Sequence, residues 1–265
     1  LIQDRPRDYF GSESPLLSEA LAKYLLLKGY GKDKTFARGA NRNIRYLIDH
    51  LGDRPIDAYT SADAASLRDS LIDGGLSVSS VKRNFSTIRS IINLTITEQG
   101  LDCINAFSRT YMPDEEKQRR LPIPMECIRI IQSDCIDADD DMRWIVAMLS
   151  DTGMRLGEVV GLAKSDIIID EDMPHINLRP HAWRRLKTRG SERCIPLVGQ
   201  ALWAASRAIE ATSGSDFLFP RYANSHSCNA NSASAAINKW LKPRVPDKCV
   251  IHSFRHSMRD RLRAV

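Results

Sequence analysis

The sequence has no long hydrophobic segment and no glycine-rich phosphate loop. Its longest apolar runs, such as residues 144–149, are much shorter than the roughly 20 apolar residues that a transmembrane helix needs. Its first residues are charged, so no secretory signal is visible. A membrane-spanning protein and a P-loop nucleotide hydrolase are therefore not indicated.

The six cysteines form no C-x-x-C pair and no tight cluster with histidine. This spacing indicates neither a structural zinc site nor a disulfide framework, and it is typical of reduced thiols in a cytosolic protein. His175, His181 and His226 also lack the spacing of metal ligands. We therefore predict no metal and no other cofactor.

The chain is large enough for one or two domains, and its positive charge is concentrated in two windows. It has 265 residues, of which 43% are hydrophobic and 27% charged, with a formal net charge of +5. Residues 179–193 carry five arginines and one lysine against one glutamate, and residues 250–265 carry four arginines against one aspartate. Such clusters are typical of a phosphate-binding surface, although a solvated arginine face would look the same.

Hydrophobic spacing predicts a bundle of four helices in the N-terminal part of the chain. The first helix is predicted to start at Ser14, an N-cap followed by Pro15. Basic residues lie off the apolar stripes of the second and fourth helices: Arg38, Arg42, Arg45, Lys82 and Arg89. They are candidate contacts to a DNA backbone, and the alternative is a solvated bundle with only a structural role.

A polar segment at residues 106–124, with three prolines, separates this part from the rest. In the second part, helical patterns surround two extended runs, at residues 175–178 and 194–197, which we predict to pair as strands. The predicted divisions are a tail at 1–13, a helical domain at 14–105, a linker at 106–121 and a second domain at 122–265. The predicted fold class is mainly α with a small antiparallel β-sheet.

Three short segments could bring cationic groups to one phosphate. His252 and Arg255 are three residues apart and share a helix face, which Ser253 is predicted to cap. Arg155 is predicted to open another helix after the helix stop at Gly153. A helix N-terminus flanked by such groups is a suitable anion site.

A third cation, Lys187, is predicted near the tip of a hairpin whose strands flank Gly190 and Ser191. Together the two arginines, the lysine and the histidine could clamp and activate a phosphodiester. Each of these residues also has a purely structural interpretation. Arg155 could be a surface arginine paired with Glu158, His252 a core histidine and His256 a packing residue. Arg185 and Arg189 compete with Lys187 for the same role.

Taken in order, these segments resemble the phage integrase family of tyrosine recombinases. The matching strings are T-G-M-R-L-G-E-V-V-G-L at 152–162, K-T-R-G-S-E-R-C-I-P-L at 187–197 and H-S-F-R-H-S at 252–257. The resemblance implies that the N-terminal bundle is a SAM-like core-DNA-binding domain. It also implies that the second domain is catalytic, and that the two close around a duplex.

The resemblance also implies the roles of individual residues. Arg155 and Arg255 would contact the scissile phosphate, and His252 would handle a proton or donate a hydrogen bond to it. Lys187 would be the general acid, while Glu158 and His256 would support the site. The family's nucleophilic tyrosine follows the H-x-x-R helix, whereas every tyrosine here lies at or before Tyr222. We therefore expect a fragment that binds DNA without cleaving it.

The function implied is site-specific recombination through a 3′-phosphotyrosyl intermediate. The expected partners are double-stranded DNA and further copies of the chain, as a tetramer on synapsed DNA. The expected setting is the cytoplasm and nucleoid of a bacterium, with a phage or mobile element as the source. Two alternatives remain: a catalytically inactive DNA-binding relative, and an enzyme like the type IB topoisomerases.

Overall fold

The computed structural model describes residues 14–115, 120–169 and 172–264. These residues form two compact units, one before residue 118 and one from it onward. Each unit has its own hydrophobic core. None of the helices described in these ranges is long and apolar enough to cross a membrane.

The described part of the first unit contains four helices. They are α1 (Leu17–Lys28), α2 (Lys34–Leu51), α3 (Ser61–Asp73) and α4 (Val78–Gln99). Their apolar stripes meet in a core that includes Leu47, Leu67 and Phe85. Phe107, beyond α4, is also fully buried there and lies edge-on to Phe85 and Tyr59, with ring centroids 5.9 Å apart in both cases.

The predicted N-cap of α1, Ser14, is wrong by two residues, because the backbone before Leu16 pairs with another segment. The N–H of Leu17 donates to the carbonyl of Arg54 at 3.0 Å, and the N–H of Ile56 donates to Pro15 at 3.0 Å. This pairing keeps the chain extended up to Leu16. The carboxylate of Glu19 then accepts the Leu16 N–H at 2.9 Å and caps the helix from inside its first turn.

The second unit is built around one buried helix. Its helices are α5 (Met125–Ala138), α6 (Asp141–Thr152), α7 (Leu156–Val160), α8 (Gly199–Ala211), α9 (Ala230–Leu241) and α10 (Ser253–Arg263). Seven consecutive residues of α6, from Trp144 to Ser150, are buried, so this helix has no solvent face along that length. It packs against α5, α8 and α10. Its C-terminal end lies beside α10, because its C-cap Gly153 is close to Met258.

A small antiparallel sheet completes the second unit. Strands β1 (Ile167–Ile168), β2 (His175–Leu178) and β3 (Arg193–Pro196) pair in that order, with Ile176 opposite Ile195. A separate two-stranded ladder joins β4 (Ala223–Asn224) and β5 (Ser227–Cys228). The predicted fold class is confirmed, as is the pairing of the two extended runs, with β3 starting one residue earlier than predicted.

The prediction of a short hairpin with its tip at Gly190 and Ser191 is wrong. The two paired strands end at Leu178 and begin at Arg193, so residues 179–192 form a long connection. Residues 189–191 form a turn of 3₁₀ helix inside it. The connection leaves the sheet because its first part bonds to a buried aspartate, Asp166, instead of to a strand.

Candidate active site

The turn between α6 and α7 places Arg155 beside α10. Gly153 ends α6 with a φ of +60°, a conformation that favours glycine. A Cβ atom at this position would lie 2.9 Å from the Met258 side chain on α10, so the close approach of the helices also requires glycine. The Gly153 carbonyl accepts a hydrogen bond from Nη1 of Arg255 at 2.7 Å. This one turn therefore connects both arginine-bearing segments.

A buried carboxylate, Glu158, orients two arginines. Nη1 of Arg155 donates to its Oε1 at 2.6 Å, and Nη2 of Arg193 donates to its Oε2 at 3.0 Å. Oε2 also accepts the backbone N–H of Arg155 at 2.9 Å. Burial alone would raise the pKa of Glu158, but these hydrogen bonds and charges hold that pKa below its usual value. The carboxylate is therefore ionised and fixes both guanidinium groups.

The pKa of Glu158 predicts a loss of stability in acid. A carboxyl whose pKa is lower in the folded state stabilises the fold above its unfolded pKa, and this contribution disappears as pH falls through the folded value. We expect wild type and Glu158→Gln to differ in melting temperature at pH 7, and this gap to shrink as pH falls below about 4.3 and through the lower pKa of the folded state. Circular dichroism melts between pH 7 and pH 3 measure this, with the exposed Glu126→Gln as control. An equal gap at pH 7 and pH 3 would contradict the assignment.

The N-terminus of α10 holds His252 and Arg255. The predicted N-cap, Ser253, is wrong by one residue: His252 is the N-cap, and Ser253 lies inside the first turn. The Ser253 hydroxyl accepts the N–H of Val250 at 3.1 Å, so it stabilises the turn before the helix instead of the helix itself.

Positive charge accumulates around these two residues. Burial lowers the pKa of Arg255, and the guanidinium groups of Arg155 and Arg193 lower it further. Burial also lowers the pKa of His252, and the neighbouring His256 and several arginines add to that effect. The His252 and His256 rings meet edge to face with centroids 5.4 Å apart. These mutually repelling groups are suited to an anionic ligand.

Lys187 lies on the neighbouring 179–192 connection and is exposed. It has no hydrogen bond or ion pair within the described ranges. The far end of the connection does reach the site, because Ser191 Oγ lies 3.4 Å from Nη1 of Arg155 and 3.0 Å from Thr188 Oγ1. Of the other two cations predicted here, Arg185 is exposed, and the Arg189 side chain lies outside the described residues.

The structure thus groups Arg155, Glu158, His252 and Arg255, with His256 beside them, and among the described residues Lys187 forms no hydrogen bond or ion pair with this group. Sequence reasoning missed Arg193, although it lies in the basic window at 179–193. Its position as the first residue of β3, directly after the connection, was the available signal. No group of three or more His, Cys, Asp or Glu residues among those described could hold a metal ion.

The basic candidates in the first unit lie on α2 and α4. Arg38, Arg42 and Arg45 are exposed on α2, and Arg45 forms an ion pair with Asp49 at 3.6 Å. On α4, Nζ of Lys82 donates to the carbonyl of Pro113 at 3.3 Å, and Arg89 is half-buried. Arg42 also lines a groove between the two helices, together with Arg83, which the sequence analysis did not single out.

Known proteins share this arrangement of elements. The Tn1549 transposon integrase in complex with transposon right end DNA matches with a TM-score of 0.73 and 20% identity, over 94% of this chain and 87% of that one. A lambda integrase tetramer bound to a Holliday junction matches with a TM-score of 0.71 and 18% identity, over 93% of this chain and 70% of that one. A search of curated proteins returned no significant match.

A match between the sequence and a protein-family model identifies the family. The family model described as "Phage integrase family" matches residues 124–263, more than half of the chain and nearly all of the second unit. The match includes the α6–α7 turn with Arg155 and the α10 segment with His252 and Arg255. On this evidence the chain belongs to the phage integrase family of tyrosine recombinases.

Proposed function

We propose that the protein is a site-specific DNA recombinase that breaks and rejoins DNA through a 3′-phosphotyrosyl intermediate. The observation that carries this proposal is the meeting of Arg155, His252 and Arg255 at the Gly153 turn of an integrase-type fold. Glu158, the carboxylate that holds Arg155 in this group, is 4% exposed. A cationic site fixed in this way matches the charge of a phosphodiester in its transition state.

In this proposal Arg155 and Arg255 bind the non-bridging oxygens of the scissile phosphate. Negative charge on those oxygens increases as a nucleophile attacks, so fixed guanidinium donors stabilise the transition state more than the ground state. Glu158 keeps Arg155 oriented and does not transfer a proton. Two arginines then supply the charge neutralisation for which many phosphoryl-transfer enzymes use divalent cations.

His252 and Lys187 handle protons and hydrogen bonds in the proposed reaction. A bound phosphate places an anion next to His252 and so favours its protonated form, which donates a hydrogen bond to the scissile group. Lys187 protonates the departing 5′ oxygen, and its exposed side chain on the 179–192 connection is free of protein partners in the described ranges.

The nucleophile in this proposal is a tyrosine outside residues 1–265, following the family pattern. Its hydroxyl oxygen forms a bond to phosphorus as the bond to the 5′ oxygen breaks, and the 5′ oxygen leaves as a hydroxyl. The 5′ hydroxyl of a partner strand then attacks the phosphotyrosyl bond and releases the tyrosine. Because the covalent intermediate conserves the phosphodiester bond, the exchange needs no nucleotide hydrolysis.

Duplex DNA and further copies of the chain are the proposed partners. The matched Tn1549 and lambda structures contain DNA, and one lambda structure is a tetramer on a Holliday junction. We propose that α2 and α4 of the first unit contact the DNA backbone through their basic residues. We also propose that four copies assemble on synapsed DNA, in the cytoplasm at the nucleoid of a bacterial host.

The test uses the full-length protein and a nicked suicide duplex that carries the junction sequence of its mobile element. We expect a protein–DNA adduct that survives boiling in detergent and that disappears when the downstream tyrosine is replaced by phenylalanine. Tight binding to the same duplex without an adduct would overturn the recombinase proposal and would favour a DNA-binding protein without chemistry.

A further inference from the structure

Two recesses lie on either side of the His252–His256 pair. The first, of about 400 Å³, includes Arg193, Arg255 and both histidines in its lining. The second, of about 520 Å³, is lined by Arg120, Pro122, His252, His256 and Arg259. His252, His256 and Arg259 line both recesses, whereas Arg120 lines only the second, so a ligand group in one recess lies directly beside a ligand group in the other. Arg255, a proposed ligand of the scissile phosphate, lines the first recess but not the second.

The second recess is lined by two arginines and two histidines, with no carboxylate among its lining residues. Among the described residues, Arg120 has no hydrogen bond or ion pair. Arg259 donates through Nε to Oδ1 of Asp260 at 3.0 Å, and this is the one acidic contact of the group. Arg120 is also close enough to His252 to help lower its pKa. The two arginines repel each other, and an anion between them would offset that repulsion.

Buried contacts hold the two sides of this recess together. Arg120 precedes α5, whereas the other basic residues lie on or beside α10. The hydroxyl of Ser257 on α10 accepts the N–H of Ile123 at 2.8 Å and donates to the Ile123 carbonyl at 3.0 Å. Ser257 is 4% exposed and Ile123 2% exposed. The segment that carries Arg120 is therefore fixed to α10 only three residues away.

The spacing of the basic residues along α10 suits a continuous DNA strand. His252, His256 and Arg259 are separated by four and three residues, so they share one face at intervals of about 5–6 Å. A strand whose reacting phosphate occupies the first recess would place the next phosphate along this face. A backbone phosphate takes charge-assisted hydrogen bonds from arginine in this geometry.

We propose that the second recess binds the backbone phosphate next to the scissile one on the same DNA strand, through Arg120, His256 and Arg259. The inference deepens the proposed function and rests on it, because the first recess is taken to hold the reacting phosphate. The second site fixes the direction in which the strand crosses the active site. It contributes binding and alignment, not chemistry.

The first test is the salt dependence of DNA binding. Fluorescence anisotropy gives the affinity of the chain for a labelled 30-base-pair duplex between 50 and 200 mM NaCl. Loss of one phosphate contact makes the slope of log K against log salt less steep by about 0.9. We expect that change for Arg120→Ala/Arg259→Ala. The control, Arg129→Ala/Lys242→Ala, removes two exposed charges that line neither recess, and its slope should equal that of wild type.

A slope for the Arg120/Arg259 variant equal to that of wild type would overturn the second phosphate site. An equal change in the control variant would also overturn it, because the effect would then reflect net charge alone. The second test replaces the neighbouring phosphate by a neutral methylphosphonate in the duplex that yields the adduct. Wild type should bind this modified duplex more weakly than the unmodified duplex. The Arg120/Arg259 variant should bind both duplexes equally well.

The two proposals fail in different ways. If wild type forms the covalent adduct and the Arg120/Arg259 slope is unchanged, only the second recess is refuted. If the slope changes as expected and no adduct forms, the recess still binds a phosphate and the cleavage proposal is refuted.

Discussion

Replacement of Asp166 by asparagine should lower the free energy of unfolding of the second unit by about 3–5 kcal/mol. Asp166 is fully buried, and its Oδ2 accepts Nη2 of Arg184 at 3.2 Å. Arg184 itself is 3% exposed. Burial lowers the pKa of Arg184, and the Asp166 carboxylate opposes that effect. Without the carboxylate, a buried guanidinium loses its counter-charge, which is the costly way to break an ion pair.

The Asp166–Arg184 ion pair belongs to a group of contacts that join residues 179–192 to α7 and the turn after it. Nη1 of Arg184 donates to the carbonyl of Glu158 at 3.1 Å, and Nε1 of Trp183 donates to that of Gly161 at 3.0 Å. His181 bonds to Asp166 at 2.8 Å and stacks on Trp183 with ring centroids 4.4 Å apart. A defect at Asp166 should therefore loosen both the helix that follows Arg155 and the segment that leads to Lys187.

Urea unfolding followed by tryptophan fluorescence and by hydrogen exchange in the second unit measures this effect. The control is Asp134→Asn, which breaks a more exposed pair with Arg244 and should cost at most about 1 kcal/mol. The double change Asp166→Leu/Arg184→Met should recover part of the loss, because it removes both buried charges. A loss below about 1 kcal/mol in Asp166→Asn would show that the buried pair does not stabilise this unit.

Periodic features of the structure could be predicted from the sequence. The four helices of the first unit follow from apolar residues at helical spacing, and the end of α6 follows from Gly153. The predicted starts at Ser14 and Ser253 failed for a different reason. A serine is able to cap a helix, but which helix start it serves depends on tertiary contacts. Here these are the pairing of Pro15 with Ile56 and the turn at Val250.

Contacts between distant residues could not be predicted in the same way. The basic window at 179–193 suggested one exposed phosphate surface, yet Arg184 from that window is buried against Asp166. Arg193 from the same window binds Glu158, 35 residues earlier in the chain. Charge density indicates that a region is basic, but it does not separate the arginines that bind a ligand from those that hold the fold.

If the protein is the proposed recombinase, an Arg155→Ala variant should cleave DNA about 10²–10³ times more slowly than wild type. Arg155 is proposed to bind a non-bridging oxygen whose charge grows only as the bond breaks, so its loss raises the barrier to cleavage. The surrounding site should persist, because Glu158 still binds Arg193 at 3.0 Å and the backbone N–H of residue 155 at 2.9 Å. DNA affinity should change little, since it depends on many dispersed backbone contacts.

Single-turnover adduct formation on the suicide duplex measures the cleavage rate, and anisotropy on the same duplex measures affinity. Arg155→Lys provides a sharper comparison, because lysine keeps the charge but loses the fork that contacts Glu158 and a phosphate oxygen together. If cleavage requires the fork-shaped guanidinium group and not only a positive charge, Arg155→Lys should cleave DNA much more slowly than wild type. If Arg155→Ala abolished binding, Arg155 would act mainly on the bound ground state, and the assignment of Arg155 to transition-state stabilisation would have to be abandoned.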